Sequence, residues 1–224
     1  MQRGPGRAGI AIYLGAGVLA VPALAFAAYS IILGARGLGL DLSQETYLYT
    51  SGRVPANLAV FSHMILGGLI MVVAPLQLIG RLRARYPRLH RITGRVVVAG
   101  SITTALGGLG YIALRGTVAG ALMDVGFALY GGLVIVAAVQ VVRLARAGDV
   151  GQHRDWALRL FVLVMGSLIF RLHYTIWYLL TDGLWSTEHL DGPFDQVQYF
   201  AFYLPYLAAL ELWIRLRSRR AMPP

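Results

Sequence analysis

Four ionisable side chains lie inside stretches that are otherwise aliphatic, aromatic or small: His63, Asp124, Arg171 and His173. A charge in hydrocarbon surroundings is expensive, so residues of this kind mark sites by default. Two histidines at one depth suit axial ligation of a b-type haem or coordination of a metal ion, since neutral imidazole binds either through a ring nitrogen. His63 and His173 are the candidate ligands of such an outer centre, with Gly67 and Gly166 leaving space for a macrocycle. Asp124 has two competing partners: Arg171, as a buried ion pair, or His173, whose tautomer it would fix. Arg171 and His173 are two positions apart, roughly 200° around a helix, so the two cannot face one small centre.

A second pair, His90 and His153, lies in basic segments as His90-Arg91 and His153-Arg154. These could hold an inner centre, with Arg91 and Arg154 available to haem propionates; alternatively they are solvated or bonded to lipid phosphate. Cysteine is absent, which excludes disulfides, thiolate-bound zinc, iron–sulfur clusters and covalent haem attachment. No H-E-x-x-H helix, phosphate-binding loop or G-x-S-x-G elbow occurs, so hydrolase and ATPase chemistry has no support.

The elements that position these groups follow from hydropathy. At 57% hydrophobic and 13% charged, the 224 residues carry more apolar material than a soluble domain of this size could bury. Apolar stretches at about 8–34, 56–80, 96–114, 118–144, 156–181 and 197–216 predict an all-α bundle of six transmembrane helices in one membrane domain. The first is too long for the apolar region of a signal peptide and reads as an uncleaved helix. Helices two to five, about 55–181, form a four-helix core flanked by helices one and six. Each helical hairpin of that core turns at a His-Arg dipeptide, a faint internal repeat.

All 20 basic residues are Arg, and their distribution sets the orientation. Sixteen fall before helix one, in the segments after helices two and four, or after helix six; Arg36, Arg53 and Arg115 fall on the other side, and Arg171 in the membrane. The positive-inside rule then places both termini in the cytoplasm and the protein in the inner (plasma) membrane of a cell. Tyr47, Tyr49, Tyr178, Trp185, Tyr199 and Tyr203 are expected at the outer interface, with Tyr86, Trp156 and Trp213 at the inner one. A net charge of +10 arranged this way points to the bilayer and its anionic lipids, not to nucleic acid. Glu211 and Arg215 are spaced for an intrahelical pair.

Several of these segments together resemble a family of bacterial membrane proteins of uncharacterised function, domain of unknown function 2306. The resemblance is carried by HMILGGLIMVVAPLQL (His63, Gly67, Pro75, Gln77), YPRLHRITGR (Pro87, His90, Arg91, Gly94, Arg95) and GDVGQHRDWALR (His153, Arg154, Trp156, Arg159), and reaches Arg171. It covers roughly residues 55 to 180, and Ala157 stands where the family often has Met. The resemblance favours His63, His90, His153 and Arg171 over His173 as members of one shared site, and implies no activity. Three functions fit these readings: a redox or quinone-linked protein with His-ligated haem or metal, a small transporter or channel with its polar site at His63, Asp124 and Arg171, and a non-catalytic subunit of a membrane complex or homo-oligomer.

Overall fold

A computed structural model describes residues 7–39, 46 and 48–220, with only the backbone for 7–20 and 220. Arg3, Tyr47 and the extreme termini therefore lie outside the described residues. The fold is all-helical: α1 Arg7–Gly39, α2 Val54–Val73, α3 Gly80–Arg85, α4 Pro87–Arg115, α5 Ala121–Arg146, α6 Val150–Thr181, α7 Pro193–Ala201 and α8 Leu204–Arg220. Among the described residues there is no strand. Helix is what an apolar chain must form in lipid, because it satisfies every backbone N–H and C=O within the segment. Among the described residues five helices are long and apolar enough to cross a membrane: α1, α2 with the 3-10 turn Ala74–Leu78 that extends it, α4, α5 and α6. Their outward faces are apolar, as Leu179 (80% exposed) and Leu180 (77% exposed) illustrate, which is the arrangement lipid solvates and water does not.

Sequence punctuation sets the helix starts. Pro55, Pro87, Pro193 and Pro205 occupy the first or second position of α2, α4, α7 and α8, where a missing N–H is harmless. Asp149 caps α6 by accepting the Gln152 amide at 2.9 Å. Consequently the two Arg-rich segments expected as loops are largely helical. Residues 80–85 form α3, Tyr86 turns the corner at φ −131° because the following proline disfavours helical backbone there, and His90 already lies in the first turns of α4. His153 likewise lies in the first turns of α6, and both histidines are the fourth residue of their helix.

The largest core joins α4, α5, α6 and the α7–α8 corner. Phe202 and Tyr203, 1% and 0% exposed, plug into it, and the Tyr203 hydroxyl donates to the Gly126 carbonyl at 3.1 Å. Inserting these rings interrupts the stretch expected as one sixth helix, just ahead of Pro205. Tyr199 and Tyr203 thus belong to the interior and not to the outer interface, whereas Tyr86 (50% exposed) and Trp213 (47% exposed) keep interfacial exposure. On the other side α1 packs along α2. At that seam a Cβ on Gly68 would stand 2.9 Å from the Ala27 carbonyl oxygen, so the close approach depends on glycine.

Both ends of the bundle are tied by polar contacts. At the basic end Glu211 binds Arg159 of α6 and, at 2.9 Å, Arg215 of its own helix, while Arg217 reaches Asp155 at 2.5 Å. The Glu211–Arg215 pair is the expected one. At the opposite end Asp195, 0% exposed, accepts from the Tyr174 hydroxyl (2.7 Å), the Ser186 hydroxyl (2.8 Å) and the Thr187 and Gly192 amides (each 3.0 Å). Asp195 is thus the anchor that folds residues 186–195 down onto α6.

Candidate functional site

His63 projects from the middle of α2 onto α4, and two glycines let it fit. A Cβ on Gly107 would meet the Ala59 carbonyl oxygen at 2.9 Å and the His63 Cβ at 3.2 Å, and one on Gly108 would meet the imidazole Nδ1 at 3.2 Å. Seated there, Nδ1 lies 2.7 Å from the Thr104 carbonyl oxygen. A carbonyl only accepts, so Nδ1 carries the proton and neutral His63 keeps a lone pair on Nε2. The ring forms part of the wall of a cavity of about 270 Å³ enclosed by α1, α2, α4, α5, α6 and the α7–α8 corner.

Most of that wall is apolar. Phe127, Phe170 and Phe202 pack as a triangle with centroids 5.3–5.7 Å apart, and Tyr130 joins Phe202 at 4.9 Å. The polar residues of the lining are few: His63, Arg171, Ser30, Ser101, Thr104, Thr117, Ser167 and two tyrosines, Tyr111 and Tyr130. Ser101 is 0% exposed, and among the described residues neither its hydroxyl nor that of Thr104 has a hydrogen-bond partner. Buried this completely, neither hydroxyl is presented to the cavity space, and each is an unfavourable group packed within its wall. Arg171 donates through Nη1 to the Ser167 carbonyl (3.1 Å) and hydroxyl (3.2 Å), and its guanidinium lies 4.0 Å from the centre of the Phe26 ring.

His63 and Arg171 therefore share one cavity, but the other expected outer ligands do not join them. His173 is absent from the cavity wall. Its Nδ1 faces the Gln198 amide oxygen at 2.9 Å and its Nε2 the Tyr206 hydroxyl at 2.7 Å, so both ring nitrogens are used in tying α6 to α7 and α8. Asp124 pairs with neither proposed partner; it closes the α4–α5 turn by accepting the Thr117 amide at 2.6 Å. The space expected beside Gly166 is filled by Tyr130, whose ring would be 3.0 Å from a Cβ there. A haem or metal held jointly by His63 and His173 does not fit this arrangement. Among the described residues no three His, Cys, Asp or Glu side chains gather as a metal-ligand group.

The inner pair lies at one end of the bundle, each histidine in the first turns of its helix. Each is engaged by the protein. His153 Nδ1 donates to the Val141 carbonyl at 3.0 Å. Gln77, oriented so that both ends of its amide are satisfied, donates to His90 Nδ1 at 3.1 Å and accepts from the Thr93 hydroxyl at 2.5 Å. Arg91 and Arg154 are exposed beside them. Ser30, Ser101, Thr104 and Tyr130 are cavity residues that sequence reasoning missed. Ser101, Thr104 and Gly108 recur at helical spacing, which was the available signal. Thr104 and Ser167 stand fourteen positions after His90 and His153, and Gly108 and Arg171 eighteen, so the faint repeat extends into the cavity wall.

With this geometry in place, the sequence matches the family described as predicted membrane protein, DUF2306, over residues 60–213. The chain belongs to that family. The DUF2306 match takes in His63, both His-Arg dipeptides, the orphan hydroxyls of α4, Arg171 and the α7–α8 corner. It thus extends beyond the residues 55–180 that carried the resemblance, and it leaves α1 outside. No curated protein and no solved structure matches the chain.

Proposed function

We propose that this DUF2306 protein binds a lipid-soluble quinone or quinol in the His63–Arg171 cavity. The observation that carries the reading is His63, held by the Thr104 carbonyl with an Nε2 lone pair, on an otherwise apolar cavity wall that Arg171 also lines. The lone pair on His63 Nε2 suits a quinol hydroxyl as donor, while the Arg171 guanidinium suits a quinone carbonyl as acceptor. A volume of about 270 Å³ accommodates a single ring. Purification in mild detergent, solvent extraction and mass spectrometry test the proposal. About one quinone per chain is expected, falling by roughly 2- to 13-fold with His63→Leu if one hydrogen bond of about 0.5–1.5 kcal/mol is lost. No enrichment above the membrane's own quinone content, or enrichment indifferent to that substitution, overturns it.

The orientation belongs to the same proposal: six crossings of the inner membrane, with α7 and α8 as a broken sixth and both termini in the cytoplasm. In support, α7 to α8 spans Pro193 to Arg220, enough at a rise of about 1.5 Å per residue for a hydrocarbon core of about 30 Å. Arg81, Arg83, Arg85, Arg88, Arg91 and Arg95 are all exposed at the basic end, where anionic lipid headgroups would meet them. Because the chain has no cysteine, single substitutions report sidedness cleanly. Arg83→Cys is expected to react with an impermeant maleimide only from the cytoplasmic side, and Glu188→Cys only from the other.

A further inference from the structure

The cavity has a neighbour. A shallower groove of about 480 Å³, lined by Ala25 and Tyr29 of α1 and by Tyr174 and Thr175 of α6, opens on the outside of the bundle. Groove and cavity share four residues, Phe26, Phe170, Arg171 and Leu190, so they meet at the place where the Arg171 guanidinium lies over Phe26. This arrangement follows from the packing: α1 is seated on α2 and α6 on α5, and α1 and α6 are not closely packed on each other. The gap between them faces lipid, as Leu24 (55% exposed) and Tyr29 (56% exposed) on α1 and Ile176 (53% exposed) on α6 indicate. Toward the outer end the route is closed by the loop carrying Leu190, which Asp195 holds down.

We infer that the occupant of the His63–Arg171 cavity is a membrane-dissolved molecule with a polar ring and one long apolar tail, which enters from the bilayer between α1 and α6 and leaves its tail in that groove. The inference rests on the quinone reading and specifies the ligand further. Two independent features carry it. His63, whose Nε2 keeps a lone pair, lines the cavity beside Arg171 and calls for a hydrogen-bonding head inside. The groove and the cavity share Phe26, Phe170, Arg171 and Leu190, so a molecule held by its head in the cavity has a continuous way out to hydrocarbon. A tail must then lie where the cavity opens, and that opening faces hydrocarbon. Since lipid is as apolar as the groove wall, the groove adds little affinity for the tail and acts as its path and resting place.

Two probes distinguish the possibilities in protein reconstituted into phosphatidylcholine vesicles: a decyl benzoquinone with a photoreactive diazirine at the tail end, and tail-free benzoquinone added from water. The tail probe is expected to label the α1 segment around Ala25 and Tyr29 and the α6 segment around Thr175. Thr175→Trp, a change at an exposed groove residue, should reduce that labelling at least tenfold and leave binding of tail-free benzoquinone unchanged. Phe26→Ala should instead speed exchange of the tailed probe several-fold by widening the junction. Labelling centred on α5, or insensitive to Thr175→Trp while benzoquinone still binds, overturns the lateral path alone. Failure of both probes to bind overturns this inference together with the quinone reading.

Discussion

Removing the Ser101 hydroxyl should raise stability and leave binding unchanged. In the ligand-free protein this group is fully buried and unpartnered. An unsatisfied buried hydroxyl costs about 1–3 kcal/mol. Ser101→Ala deletes that cost and one atom of volume, so the ligand-free protein should become more stable by about 1 kcal/mol, a rise in Tm of roughly 2–4 °C for a chain of this size. Because the hydroxyl is closed off from the cavity, the same substitution should leave binding of a cavity ligand unchanged. Thermal unfolding of delipidated protein in detergent, with and without decyl benzoquinone, reads both effects. A ligand-free S101A protein that melts below the parent would refute the reasoning, because the hydroxyl would then be stabilising the empty fold.

Other substitutions test the frame around the cavity. Gly107→Ala puts a Cβ 2.9 Å from the Ala59 carbonyl oxygen; helix separation or backbone shift should cost about 1–3 kcal/mol and loosen His63, measurable as a lowered Tm. Asp195→Ala strands four donors and should destabilise by several times the ~1 kcal/mol typical of one hydrogen bond, with Asp195→Asn milder; limited proteolysis within residues 186–195 is the second readout. Glu211→Gln is expected to matter least of these despite breaking two ion pairs, about 1 kcal/mol or less, since Glu211 is 36% exposed and Arg215 is 72% exposed.

Hydropathy and arginine placement made the long helices legible, because each apolar stretch had only one way to satisfy its backbone in lipid. What they obscured was where helix ends within the basic segments. Arginine marks a side of the membrane but is also a good helix former, so segment 81–95 reads as a loop by charge and folds as helix around the Tyr86–Pro87 corner. His63 and Arg171 were recognisable as cavity residues because both carry charge or titrate. Ser101 and Thr104 were not, since a hydroxyl in a membrane helix ordinarily bonds back to its own backbone and attracts no notice. His173 and Asp124 misled for a related reason: a polar residue at membrane depth needs a partner, and Gln198, Tyr206 and the Thr117 amide supply it from distant or turn positions that spacing does not reveal.

The repeat that relates α4 to α6 is broken at one informative place. Thr104 and Ser167 give matching hydroxyls, but the positions four residues further on hold Gly108 and Arg171. Tail-free benzoquinone has two chemically identical oxygens, and a cavity with a guanidinium on one side only would polarise them unequally. Infrared difference spectra of carbonyl-labelled quinone should then show two stretching bands in place of one, which Arg171→Ala would merge.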